Sequence, residues 1–163
     1  MGDTDFAWAN RLRREYFPPE RNFLDAHITL FHHLPSMQLP EIKGRVKEMV
    51  KTYARPDARL SDVMHLGRGV AYRIECEGLA NMRDELAEYF TGLLTPQDQA
   101  KPRLHITVQN KVAPPISKAL YEKLSGEFEP RPFVIKGLAL YYYRGGPWEE
   151  IGTYPFRGHE SVV

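Results

Sequence analysis

The chain has 163 residues, of which 42% are hydrophobic and 26% are charged, and this composition is typical of one globular domain rather than a disordered chain. The formal net charge of +1 removes the broad electrostatic argument for binding duplex DNA or an anionic membrane. No apolar run approaches the ~20 residues of a membrane span, and the N-terminus lacks the order of a signal peptide. The single cysteine, Cys76, excludes an internal disulfide and a Cys-rich zinc site. We therefore expect a cytoplasmic protein that is a monomer.

The first half of the chain predicts the order helix, strand, helix, strand, strand. Helices are indicated by apolar residues at helical spacing, as at Ile42, Val46 and Met49, and strands by alternating polar and apolar residues. Gly67-Arg68-Gly69 is typical of a turn between two strands. The expected elements are a helix that Asp3 or Thr4 caps and Pro18-Pro19 ends, a strand from Phe23 to His32, a helix from about Pro40 to Ala54, and strands from Arg59 to His65 and from Val70 to Cys76.

The second half predicts the same order again. A polar loop, Thr95 to Pro102, separates its first helix from its first strand. The expected elements are a helix from Leu79 to Phe90, a strand from Arg103 to Asn110, a helix through Ile116 and Leu124 opened by Pro114-Pro115, and a hairpin of Phe133–Tyr143 and Trp148–Tyr154.

Two matching tetrapeptides occupy equivalent places in the two halves. They are HITL at His27–Leu30 and HITV at His105–Val108, and their histidines are 78 positions apart. A duplicated unit predicts an α+β protein of two pseudo-symmetric lobes, each an antiparallel sheet with outer helices, on either side of a central groove. We expect one domain over residues 1–163, with lobes of about 1–77 and 78–163. Helices or strands of one half of the chain can belong to the lobe of the other half.

The pattern His-x-Thr places an imidazole and a hydroxyl on one face of each of these strands. Residues i and i+2 of a strand share a face, so His27 lies beside Thr29, and His105 lies beside Thr107. Displacement at phosphorus needs a base on the attacking oxygen and an acid on the leaving oxygen, and imidazole titrates in the range that suits both tasks. Threonine hydroxyls can donate hydrogen bonds to the non-bridging oxygens. The two copies therefore predict phosphoryl chemistry without a cofactor or metal.

The segments DAHITLFHHLP (Asp25–Pro35) and LTPQDQAKPRLHITVQNKV (Leu94–Val112) resemble the 2H phosphoesterases, in particular the bacterial 2′-5′ RNA ligases and RNA 2′,3′-cyclic phosphodiesterases. The resemblance implies metal-independent hydrolysis of a 2′,3′-cyclic phosphate, on a nucleotide or a short RNA end, to a 2′-phosphate. It also implies a reversible ligation at the same site, which forms a 2′-5′ linkage. It assigns His105 as the base toward water and His27 as the acid toward the 3′ oxygen, with Thr29 and Thr107 on the phosphate.

Five further residues are candidates for substrate binding. Arg103 shares a strand face with His105 and either steers the phosphate or is a solvated arginine at the edge of the strand. Phe31 and Gln109 each follow a motif threonine by two residues, so they should face the groove and contact a base or ribose. Tyr143 and Trp148 flank the second hairpin and either stack on a base or pack the sheet against its helices.

Two other kinds of protein remain open from the sequence. A binding module would hold a nucleotide or an RNA end in the same groove without turnover. A metal hydrolase would need His27 together with carboxylates such as Asp25, because the adjacent His32 and His33 point to opposite faces of a strand. Neither HxxxH nor HxxEH spacing occurs in the chain, so the metal hydrolase is the weaker of the two alternatives.

Overall fold

The computed structural model describes residues 1–162, in which helices pack on two antiparallel sheets. The helices are α1 (Asp3–Tyr16), α2 (Leu39–Thr52), α3 (Glu77–Tyr89), α4 (Pro96–Gln99) and α5 (Pro114–Glu127). The strands are β1 (Asp57–His65), β2 (Val70–Glu75), β3 (His105–Gln109), β4 (Arg131–Val134), β5 (Gly137–Tyr143) and β6 (Trp148–Pro155). Short 3-10 turns occur at Pro19–Arg21 and Ser36–Gln38.

The amphipathic helices form where the apolar spacing predicts them. In α2 the buried side chains are Ile42, Val46, Met49 and Val50, and they make a single stripe on a helix whose first turn contains a proline. Full burial of each such side chain stabilises the fold by about 1.5–3 kcal/mol. Because the opposite face of α2 is charged, this stripe fixes the side on which the helix packs.

The larger sheet has the strand order β3-β2-β1-β4, and every neighbouring pair is antiparallel. Strands β1 and β2 precede α3 along the chain and strands β3 and β4 follow it, so each half of the sequence supplies two strands. Helix α1 packs against β3, and α5 packs against β1. The turn between β1 and β2 has Gly67 at φ 83°, a backbone conformation that favours glycine.

The smaller sheet is the hairpin β5-β6, on which α2 packs. The sequence predicted one long strand from Phe133 to Tyr143, and this prediction is wrong in one respect. Phe133 and Val134 belong to β4, which pairs with β1, and the hairpin strand begins only at Gly137. The chain therefore passes from one sheet to the other at Ile135 and Lys136, a change that strand periodicity does not reveal.

The predicted strand Phe23–His32 is not a regular strand. Its backbone N–H groups bond to side chains instead of to a neighbouring strand. The N–H of Ala26 donates to Asn10 Oδ1 at 2.7 Å, and the N–H groups of His32 and His33 donate to the carboxylate of Asp98 at 2.9 and 2.7 Å. Backbone donors that are removed from water need a partner, and polar side chains supply it here.

One contiguous core joins the helices to both sheets. Its fully buried side chains include Leu60, Met82, Phe90, Ile106 and Val108. The α+β class expected from the sequence is confirmed, and the two sheets with their helices agree with a two-lobed fold. Within residues 1–162, no helix has both the length and the apolar character that crossing a membrane requires.

Candidate active site

The imidazoles of His27 and His105 are held by the same local hydrogen bond. Nδ1 of His27 lies 2.7 Å from the carbonyl oxygen of Asp25, and Nδ1 of His105 lies 2.6 Å from the carbonyl oxygen of Arg103. A carbonyl oxygen can only accept, so Nδ1 carries the proton and donates in both cases. Nε2 is therefore the nitrogen that each histidine leaves available to accept or deliver a proton.

The two imidazoles interact electrostatically across 78 residues of sequence. Partial desolvation by the surrounding protein lowers the pKa of His27, and the nearby charges of Arg13 and His105 lower it further, against the opposing effect of the Asp25 carbonyl. His105 therefore lies close enough to influence the protonation of His27. The two motif histidines thus influence each other through their charges.

Helix α1 bonds to both motif segments through two buried polar side chains. Asn10 accepts from the N–H of Ala26, the residue before His27. Arg13 donates from Nη1 to the carbonyl oxygen of Thr107 at 2.7 Å and from Nε and Nη2 to Asn22 Oδ1 at 3.1 and 2.8 Å. Both side chains are less than a tenth exposed. One rigid helix therefore fixes the spacing between the two motifs.

Two buried charged residues, Asp98 and Arg83, connect the segment after Thr29 to the loop before β3. Asp98, which is 1% exposed, accepts from the backbone of His32 and His33 and from the His32 imidazole at 3.2 Å. Desolvation raises the pKa of Asp98, but these hydrogen bonds and the charge of His32 outweigh it, so the pKa lies below its ordinary value. Asp98 thus remains a carboxylate at neutral pH.

Arg83 strengthens the same connection. Its guanidinium donates to the carbonyl oxygens of Leu30, Asp98 and Ala100. It also lies over the ring of Phe31, with 4.5 Å between the guanidinium carbon and the ring centroid, in a cation–π contact. Phe31, which the sequence placed in the groove, thus has a protein partner, and its half-buried side chain packs against the core.

The remaining predicted residues lie in different surroundings. Thr29 and Thr107 are half-buried beside their histidines, and Arg103 is exposed next to His105. Gln109 is buried, and its Oε1 has no hydrogen-bond partner within residues 1–162. Such an orphaned acceptor is costly unless something donates to it, so Gln109 remains a candidate for contact with a ligand.

Tyr143 and Trp148 are the last pair of the β5-β6 hairpin before its turn. Their ring centroids are 4.8 Å apart, and His33 makes an edge contact with Tyr143 at 6.2 Å. Tyr143 is 53% exposed, so it retains a face that is free for contact. The hairpin tip thus lies beside the segment that follows the first motif.

Sequence reasoning did not identify Asn10, Arg13, Arg83 or Asp98 as site residues. The only signal for Arg13 was a charged residue among the apolar positions of a helix, next to Leu12, and such a residue is seldom buried without a partner. Asp98 lies in what was predicted to be a polar loop, part of which is α4. Within residues 1–162, no three His, Cys, Asp or Glu side chains are arranged to hold a metal ion.

The α+β fold and the match described next place the chain in the class of 2H phosphoesterases and 2′-5′ RNA ligases. Residues 2–147 match the model of the 2′-5′ RNA ligase superfamily, and the chain belongs to this family. A solved structure from Thermus thermophilus, TT0787, has a similar fold, with a TM-score of 0.65 and 16% sequence identity over 98% of this chain and 96% of that one. No curated protein matches the sequence. The family supports a phosphoesterase or RNA ligase enzyme of the 2H type.

Proposed function

We propose that this protein hydrolyses 2′,3′-cyclic phosphates, on a nucleotide or a short RNA end, to 2′-phosphates and also catalyses a reversible 2′-5′ ligation of RNA ends. The observation that supports this most is the matched pair of histidines. Both have Nδ1 tied to the carbonyl oxygen two residues earlier, and both keep Nε2 for proton transfer. This symmetry is what an in-line displacement needs on its two sides.

The proposed reaction uses only side chains of the two motifs. Nε2 of His105 removes a proton from water, the water oxygen bonds to phosphorus, and the bond from phosphorus to the 3′ oxygen breaks. The 3′ oxygen takes a proton from Nε2 of His27 and leaves as a hydroxyl, and the phosphate stays on the 2′ oxygen. Thr29 and Thr107 donate to the non-bridging oxygens, where negative charge develops. When the 5′ hydroxyl of a second RNA end takes the place of water, the same steps join the two ends through a 2′-5′ linkage and release the 3′ hydroxyl.

The protonation of His27 is sensitive to the substrate. Its pKa lies below the ordinary histidine value in the unliganded protein, so at neutral pH its imidazole is mostly neutral. A bound cyclic phosphate brings a negative charge next to the ring and raises the pKa. The acid is therefore charged most readily when substrate is present.

Product analysis with a matched histidine variant tests the proposal. Purified protein is incubated with nucleoside 2′,3′-cyclic phosphates in excess chelator, and the products are separated to distinguish 2′- from 3′-monophosphate. We expect 2′-monophosphate from the wild-type protein, and a loss of at least about 10³-fold in rate for His27→Ala and for His105→Ala. His159→Ala, at an exposed histidine near the C-terminus, is the control. Near-native turnover in both motif variants would refute the proposal.

The alternative is a module that binds a nucleotide or RNA end without turnover. The exposed Tyr143 is the observation that favours it, because an aromatic face stacks on a base whether or not catalysis occurs. Tight binding of a cyclic nucleotide with no product, by a wild-type protein whose thermal unfolding is normal, would support this alternative over the enzyme.

A further inference from the structure

A pocket of about 340 Å³ has His105 in its wall, and the proposed reaction uses none of the other residues that line it. His105 and Arg103 line it together with Lys101 and His32. Its remaining wall includes the apolar side chains of Leu30, Met64, Leu66 and Pro102. This volume is within the range of small-ligand sites, and the mixture of cations and apolar surface suits a nucleotide.

The charges around this pocket favour an anion. The one carboxylate in its wall, Asp98, is buried and already accepts from His32 and His33. Arg83, which also lines it, donates to backbone carbonyl oxygens, and these carry no net charge. The positive charges of Arg83, Lys101 and Arg103 are therefore only partly neutralised within this pocket.

Arg103 and Lys101 differ in how free they are to meet a ligand. Lys101 pairs with Asp84 at 2.9 Å, and both side chains are well exposed. Arg103 is exposed and forms no ion pair with any residue in the described part of the chain. Its planar guanidinium matches a phosphate oxygen pair better than an ammonium does. Arg103 is therefore the residue that would bind a second phosphate.

The position of Arg103 decides which phosphate this is. Arg103 precedes His105 by two residues, a rise of about 6–7 Å along an extended chain. Since His105 works at the cyclic phosphate in the proposed reaction and Arg103 lines the same pocket, its guanidinium can reach a second phosphate on the same nucleotide. We propose that the pocket binds the 5′-phosphoryl group of the nucleotide that carries the cyclic phosphate. This inference rests on the proposed function and narrows its substrate to RNA ends and 5′-phosphorylated nucleotides.

The test compares two substrates that differ only in this group. These are adenosine 2′,3′-cyclic phosphate with a 5′-hydroxyl and the same compound with a 5′-phosphate, and kcat/KM is measured for each. The wild-type protein is expected to prefer the 5′-phosphorylated compound about tenfold or more, with a preference that weakens as salt is added. In Arg103→Gln the ratio should fall to about one to two. Lys47→Gln, which removes a positive charge from the exposed face of α2, should keep the wild-type ratio.

The outcomes separate this inference from the proposed function. Equal hydrolysis of both substrates by the wild-type protein, or an unchanged ratio in Arg103→Gln, would overturn the 5′-phosphate site and leave the phosphodiesterase intact. If neither substrate is hydrolysed, the phosphodiesterase proposal fails. Calorimetric titration then tests separately whether the pocket binds a 5′-phosphate. Adenosine 5′-monophosphate should bind the wild-type protein more tightly than adenosine does, and this difference should vanish in Arg103→Gln. Equal affinities would overturn the site.

Discussion

Asp98→Asn tests whether the buried carboxylate holds the segment after the first motif. Asp98 accepts two backbone N–H groups, from His32 at 2.9 Å and from His33 at 2.7 Å, one on each carboxylate oxygen. Asparagine replaces one of these oxygens with an NH₂ group, so one N–H loses its acceptor and faces another donor. A hydrogen bond to a charged group contributes about 1.5–3 kcal/mol, and the other bond weakens as well, so we expect the free energy of unfolding to fall by about 2–4 kcal/mol.

Urea denaturation at neutral pH measures this loss. The midpoint of unfolding should move to a lower urea concentration, while the slope of the unfolding free energy against urea concentration stays the same. The matched control is Asp84→Asn, which breaks only the exposed pair with Lys101 and should cost less than about 1 kcal/mol. A loss in Asp98→Asn no larger than in the control would refute the reasoning.

The stability difference between the wild type and Asp98→Asn should depend on pH in a predictable direction. Because the folded protein lowers the pKa of Asp98, its carboxylate contributes stability above the unfolded value of 3.8, and this contribution disappears as the pH falls through the lower, folded value. Asparagine does not titrate. The stability difference between wild type and Asp98→Asn should therefore be complete above about pH 5 and shrink steadily below about pH 4. A difference that stays constant down to about pH 2 would contradict the assignment.

Two further predictions concern the motif residues and helix α1. Thr107→Val should lower kcat by about 10²–10³-fold with little change in the urea midpoint, because it removes one donor to the phosphate oxygens; kcat and KM measured separately check this. Arg13→Met should lower the unfolding free energy by about 2–4 kcal/mol, since it leaves Asn22 Oδ1 and the Thr107 carbonyl without a donor. Because the charge of Arg13 lowers the pKa of His27, Arg13→Met should also move the limb of the kcat/KM–pH profile that His27 controls to higher pH. A limb that does not move would contradict this electrostatic effect of Arg13 on His27.

The sequence was sufficient to predict those helices and motifs that a local pattern of residues determines. Helix α1 begins within two residues of the start that a cap at Asp3 or Thr4 predicted and ends before Pro18-Pro19, and α2 differs by one or two residues at each end. Both His-x-Thr copies were visible because imidazole and hydroxyl chemistry at a fixed spacing appears in the sequence itself. Periodicity along one segment determines helices and the faces of strands, and motifs depend on nothing more distant.

The contacts that position the motifs were not predictable in this way. Asn10 and Ala26 are 16 residues apart, His32 and Asp98 are 66 apart, and Arg13 and Thr107 are 94 apart. The strand expected at Phe23–His32 failed for the same reason. Its alternating pattern describes an extended chain, but whether such a chain pairs with another strand or with side chains depends on which elements pack beside it.

The polar groups behind the motifs have a cost that apolar packing would avoid. Arg13, Arg83 and Asp98 are each less than 5% exposed, and removing a charge from water is expensive even where hydrogen bonds compensate. Apolar side chains of similar volume would fill the same space, but they exert no directional constraint on the backbone. Several bonds from these residues end on backbone atoms close to the motif histidines, as at Thr107 and Leu30, and proton transfer tolerates little error in such positions. The buried charges therefore contribute to the geometry of the site more than to the net stability of the fold.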